Sequence, residues 1–358
     1  MANIQLGLLE DERVRPYNVP FPTTRYQGSK RTIADWIWQN VSHLEFDSVI
    51  DVFGGTGAIS HMFKNAGKEV TYNDALRFNW NIGLALIENA NQRLSDEEIE
   101  LMIARHSHID YPDFVSRTFP DIYFTDAENR WLDVVVYNID HLLNDTYKRS
   151  LARFALFQAC IIKRPYNLFH RANLYIRTAA VERSFGNKTT WDTPFEVHFR
   201  TFAREANKAV FNNQRNNRSL NLDAFETPTG ASLVYLDPPY LNAQGVGVDY
   251  RDFYHFLEGL TDYERWSQQI DYGSKHRRLR PQESIWHSRH TIEQAFDRLI
   301  DLHRHSTIVI SYRDDGIPSK DRIIAILRRY KQRVTDVSQS KRYVLSRKHS
   351  HELLIIGE

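Results

Sequence analysis

The chain has 358 residues, 42% of them apolar and 25% charged, with a formal net charge of +1. This is the balance of a globular protein built as one large domain with an insert, or as two domains. The near-neutral sum excludes a uniformly basic protein, no apolar run approaches the roughly 20 residues that span a bilayer, and the single cysteine, Cys160, excludes an internal disulfide and a cysteine-rich zinc site.

Residues 1–23 carry Pro16, Pro20 and Pro22 and read as an extended arm. They lack the basic start and apolar stretch of a secretion signal, so with the lone cysteine the expected compartment is the reducing cytoplasm. Over residues 30–44, Ile33, Trp36, Ile37 and Val41 recur at helical spacing. SVIDVF (48–53) reads as a buried strand, GGTG breaks it, and AISHMFKNAG reads as a helix ending at Gly67. EVTYND (69–74) reads as a second strand, followed by helix. Strand, turn, helix, strand, helix opens an α/β doubly wound parallel sheet.

Ser95 and Glu98 then form a capping box for a new helix. Helical patterns follow at 125–144 and 148–162, a polar, aromatic and basic stretch at 163–193, and another helix near 194–211. Residues 95–215 therefore read as a mostly helical insert. ASLVYL (231–236) and TIVISY (307–312) resume the sheet, KDRIIAILRRY reads as a helix, and RVTDVS and ELLIIGE read as two closing strands. The basic runs KRPYNLFHR, SKHRRLRP and SKRYVLSRKHSH are either solvated loops or local polyanion-binding patches.

Two stretches carry chemistry. In DVFGGTG (51–57) an acid ends a strand and three glycines lead into a helix, the pattern of a turn that lets a ligand touch the backbone. Asp74 closes the next strand 23 residues after Asp51, where an acid can accept bonds from a ribose. The third glycine of the dinucleotide fingerprint is absent, so the pair suggests an adenosine-bearing cofactor, or a tight turn with no ligand. In LVYLDPPY (233–240) a buried strand ends in a rigid extended corner, because two prolines fix φ at successive positions. The Asp237 carboxylate, the Pro238 carbonyl and the Tyr240 ring together suit a planar amine, held by two acceptors and stacked on an aromatic face.

DVFGGTG, Asp74 and DPPY in this order, preceded by RYQGSK (25–30), resemble the Dam-like (D12 class) S-adenosylmethionine-dependent DNA adenine-N6 methyltransferases. The resemblance runs from about residue 24 to the end of the chain. It implies a Rossmann-like methyltransferase sheet formed by 24–94 and 216–358, with 95–215 as a helical target-recognition insert. It implies that S-adenosylmethionine is held by Tyr26, Lys30, Asp51, Gly54, Gly55, Gly57, Asp74, Asp223 and Asp237. Phe53 is placed beside the cofactor, as a second aromatic face or in core packing. Asp237, Pro238, Pro239 and Tyr240 would hold the target adenine, flipped out of duplex DNA.

Within KRPYNLFHRAN, the residues Lys163, Arg164, Asn167, Arg171 and Asn173 are candidates for base edges. Lys275, Arg277, Arg278 and Arg280 in SKHRRLRP are candidates for phosphates, and Lys188 in SFGNKTTWD joins the same DNA face. The GGTG wording and the insert depart from the commoner forms of the class, so no target sequence transfers. A cytosine-N4 enzyme, a methyltransferase acting on RNA or on a glutamine amide, and a non-catalytic DNA-binding module of the same fold stand as alternatives. A cognate restriction endonuclease is a possible partner. His255 and Glu258 lack a second histidine or cysteine nearby, and no metal is expected.

Overall fold

A computed structural model describes residues 15–179, 188–242, 244–341 and 350–358. Residues 1–14 of the arm, 184–187 of SFGNKTTWD and 342–349 of the last basic run lie outside the described residues.

Seven strands form one sheet: β1 (Ser48–Asp51), β2 (Glu69–Asn73), β3 (Arg218–Leu220), β4 (Leu233–Leu236), β5 (Thr307–Arg313), β6 (Val334–Lys341) and β7 (Ser350–Gly357). Their order is β3-β2-β1-β4-β5-β7-β6. The first five are parallel, and β7 runs antiparallel to β5 and β6. The central strands are buried on both faces, which is why they read as continuous apolar runs rather than alternations; all four residues of β4 are buried.

One face of the sheet carries helices Ala34–Val41, Ala58–Asn65 and Arg77–Gly83. Their core continues without a break into the helices Thr146–Ile162 and Phe195–Ala209, so Val49, Val70 and Leu233 share one buried cluster with Leu151 and Phe154. The other face is covered by Ile292–Leu302 and Lys320–Leu327 over Val234, Ile308 and Ile310. The extended arm is pinned at Asn65, whose side chain exchanges two 3.0 Å bonds with the Val19 main chain. The Ser95–Glu98 capping box forms with both of its bonds.

The sequence pattern missed several elements, among them one strand and one long helix. β3 has only three residues and no room to show a period, and the helix Ile292–Leu302 sits in a stretch to which no element was assigned.

Strand order reverses between β1, which leads to β2, and β4. A crevice opens there at the carboxyl ends of the strands. Asp51 is in register with Tyr235, and Val52 N–H donates to the Tyr235 carbonyl at 3.2 Å. The ends of β1 and β4 therefore finish side by side, with Asp237 just beyond.

Candidate active site

A cleft of about 910 Å³ lies at this crevice, lined by Tyr26 to Lys30, the glycine turn, Asp74, the DPPY corner and residues of the segment from Asp249 onward. In the turn, Gly54 N–H donates to Asn73 O at 2.8 Å and Gly57 N–H to Gly54 O at 2.8 Å. A Cβ on Gly54 would lie 2.0 Å from the Tyr72 ring, and Gly57 has φ +75° as it starts the next helix. Both positions thus require glycine, the first for space and the second for conformation.

Asp51 is 1% exposed. One carboxylate oxygen accepts from Ser60 Oγ at 2.7 Å; the other is buried without a hydrogen-bond partner. Burial pushes its pKa up to about 7, the Ser60 bond opposes this, and the charges of Asp237 and Asp74 add to it. A buried orphaned acceptor of this kind fits a cationic ligand group, such as an ammonium. Asp74 accepts from Gly55 N–H and Leu76 N–H, each at 2.9 Å, and from Asn79 Nδ2 at 3.2 Å. Burial still raises it to about 6.

Aromatic rings wall the cleft. Tyr26 is parallel to Tyr254 at 4.5 Å and to Tyr250 at 5.6 Å. Gly28, with φ +83°, has room for no Cβ, which would meet the Tyr250 hydroxyl at 2.6 Å. Tyr250 and Trp286 were missed by sequence reasoning. Trp286 takes Phe53 edge-on at 5.2 Å and stacks on Phe225 at 5.8 Å. Asp223 lines the cleft and accepts from Phe225 N–H at 2.9 Å.

At the DPPY corner Asp237 Oδ1 lies 3.2 Å from Lys30 Nζ, which is also 3.3 Å from Glu352 Oε2 on β7. Lys30, expected beside the cofactor, thus reaches the acidic corner. Burial works against its charge, but Asp237 and Glu352 outweigh burial and hold its pKa well above the ordinary lysine value. Pro238 is buried and Pro239 half-buried. Tyr240 is half-buried and packs edge-on against Tyr312 at 5.4 Å.

The candidate DNA residues divide. Lys163 is 2% exposed and donates to Trp191 O (2.8 Å) and Thr193 O (2.6 Å) while pairing with Glu128 (2.9 Å). Arg164, 1% exposed, donates to the carbonyls of Leu168, Tyr123 and Arg171 and to Asn173, itself buried. These three side chains face inward and hold the 163–173 segment together, against the expectation that they reach bases. Arg164 also lies over the Tyr123 ring at 4.4 Å. Arg171 is exposed and Asn167 half-buried on a left-handed backbone (φ 59°). Lys188 is exposed and pairs with Asp192 at 2.8 Å. Lys275 and Arg280 are exposed, Arg277 donates to the Tyr272 carbonyl, and Arg278 pairs with Asp271 at 3.3 Å. Glu258 accepts from Arg77 N–H (3.0 Å) and Phe78 N–H (3.1 Å), and His255 meets the Tyr123 hydroxyl at 2.7 Å. Among the described residues no group of three metal-ligating side chains forms.

A seven-stranded mixed sheet with helices on both faces and a cleft at its switch point is a Rossmann-like methyltransferase fold. Residues 26–306 match the family model of the D12 class N6 adenine-specific DNA methyltransferases, and the chain belongs to that family. It is 28% identical over 353 residues to the type II methyltransferase M2.HphI of Haemophilus parahaemolyticus, covering 95% of this chain and 99% of that protein. It is 21% identical over 320 residues to the type II methyltransferase M.NlaIII of Neisseria lactamica, covering 85% and 88%. With M.FokI of Planomicrobium okeanokoites it shares 25% identity over 330 residues, 85% of this chain and 46% of the relative. Among the described residues no helix is long and apolar enough to cross a membrane.

Proposed function

We propose that this one cleft holds S-adenosylmethionine along the glycine turn and an adenine, flipped from duplex DNA, at residues 237–240. The observation that carries the reading is the adjacency of two acids. Asp51, with a buried orphaned oxygen, and Asp237 close neighbouring strands of one crevice. Asp51 fits the cofactor's ammonium, Asp74 its ribose, and the wall of Phe53, Trp286 and Asp223 its adenine. When bound, the cofactor supplies a methyl carbon on a positive sulfur, which keeps the C–S electron pair as the amine donates its lone pair.

The chain's own work falls on the amine. Adenine's N6 lone pair is delocalised into its ring. Acceptance of the two N6 protons by Asp237 and the Pro238 carbonyl favours a pyramidal nitrogen with a localised pair. Positive charge grows on N6 as the new bond forms, so acceptors aimed at it bind the transition state more tightly than the ground state. The methylated N6 is left cationic, and its proton, acidic only after transfer, passes to Asp237 and on to solvent, so Asp237 need not be a strong base. Tyr240 stacks on the flipped base and offsets part of the few kcal/mol that flipping costs.

Exposed Arg171, Lys188, Lys275 and Arg280 are proposed for the DNA face, Arg280 because it also lines the cleft. The helical insert, against which the segment carrying Tyr254 and Phe256 packs, is proposed as the target-recognition part. The type II names of the relatives support a modifying role beside a restriction endonuclease.

Labelled cofactor and mixed-sequence duplexes, followed by nucleoside analysis, test the reading. N6-methyladenine is expected from the wild type and none from Asp237→Ala, whose cofactor affinity stays within about threefold. N4-methylcytosine, or full turnover by the variant, refutes it.

A further inference from the structure

We propose that Glu352 is a positioning residue for methyl transfer, acting through Lys30 on Asp237. The inference rests on the reading of Asp237 as the amine acceptor. Glu352 lies on β7, outside the residues 26–306 matched by the family model, and is 0% exposed. Strand alternation explains its direction: Glu352, Leu354 and Ile356 share one face of β7, and the latter two enter the cluster on the Lys30 side of the sheet.

The buried corner therefore contains one ammonium between two carboxylates, Lys30 Nζ at 3.2 Å from Asp237 and 3.3 Å from Glu352. Arg313, opposite Glu352 in the ladder, is matched by Asp315 at 2.7 Å. The triad of Lys30, Asp237 and Glu352 by itself carries one negative charge in excess.

That excess has a direction in the reaction. The amine gains positive charge as its lone pair bonds to the methyl carbon, and a net negative surround lowers the energy of that state. A lysine paired to Asp237 alone would cancel the acceptor's charge. Shared with Glu352, the ammonium is held in place while the acid pair keeps its net charge. Glu352 touches neither substrate in this arrangement. Its effect belongs to kcat, and substrate binding is left alone.

Steady-state kinetics of the full chain with duplex DNA and S-adenosylmethionine test this. Glu352→Gln is expected to lower kcat about 10- to 100-fold with both KM values within about twofold, and Glu352→Asp to restore kcat to within about fivefold of wild type. Lys30→Met combined with Glu352→Gln is expected to be no slower than Lys30→Met alone, because the two act as a unit. Wild-type kcat in Glu352→Gln, a change confined to KM, or multiplying effects in the double variant would overturn the proposal. Should Glu352→Gln fail to fold, the double variant decides: a kcat about tenfold below Lys30→Met rejects the coupling, and an equal kcat supports it. Asp237→Ala in the same assay separates the two failures. Full turnover there removes the underlying reading, whereas a dead Asp237→Ala beside a wild-type Glu352→Gln removes only the role of Glu352.

Discussion

Asp51→Asn is expected to stabilise the cofactor-free protein while destroying its cofactor site. Burial raises the Asp51 carboxyl from 3.8 to about 7, so the folded state holds its proton more tightly than the unfolded chain does. Folding stability is therefore highest below the unfolded pKa and is lost as pH rises through the folded one. At about 1.4 kcal/mol per pKa unit, the raised pKa costs about 2 kcal/mol of stability at pH 5, where only the unfolded chain ionises, and about 4 kcal/mol at pH 8, where the buried group is ionised too. An amide carries no such charge. It gives up roughly 1 kcal/mol through a weaker bond from Ser60. The variant should thus gain about 1 kcal/mol at pH 5 and about 3 kcal/mol at pH 8, measured by urea denaturation without cofactor. In parallel, wild-type affinity for S-adenosylmethionine should rise with pH up to about 7, the pKa of the empty site, and calorimetry should find almost no binding by the variant. A gain in stability that does not change with pH, or a loss at pH 8, refutes the reasoning that Asp51 is a destabilising acid held in place for a ligand.

Two further predictions come from the same cleft. Gly54→Ala places a Cβ 2.0 Å from the Tyr72 ring, whose hydroxyl donates to Gly55 O and Asn79 O. It should cost about 1–3 kcal/mol of stability, seen in denaturant titration, and weaken cofactor binding more than about tenfold. Lys275→Ala with Arg280→Ala should reduce the slope of log K against log salt by about 0.9 for each phosphate that is no longer neutralised. Arg278→Ala, whose guanidinium is already paired with Asp271, should change it less. Fluorescence anisotropy on a fixed duplex at several salt concentrations measures both.

The parts of the site legible in the sequence are those whose reason is local. Gly57 needs φ +75°, the prolines of DPPY stiffen their own corner, Asp51 ends its strand and Asp74 follows directly on the end of the next. What was illegible depends on packing between distant parts of the chain. Glu352 opens a closing strand and looks like an edge residue, yet Lys30, more than 300 positions earlier, makes it part of the acidic corner. Tyr250 matters because Gly28 leaves it room. Lys163 and Arg164 misled for the converse reason: their charges suggested solvent or DNA, and only the fold brings the carbonyls of Tyr123, Trp191 and Thr193 to their donors. Periodicity did find the long helices between residues 125 and 211, but it gave no hint that their core would run on into the sheet.

The most direct test of the proposed chemistry is a structure of the chain with duplex DNA and a non-reactive cofactor analogue. A flipped adenine is expected, its N6 within hydrogen-bond reach, roughly 2.7–3.2 Å, of Asp237 and the Pro238 carbonyl, and its ring on Tyr240. An adenine left stacked in the helix, or an amine seated away from Asp237, would contradict the assignment.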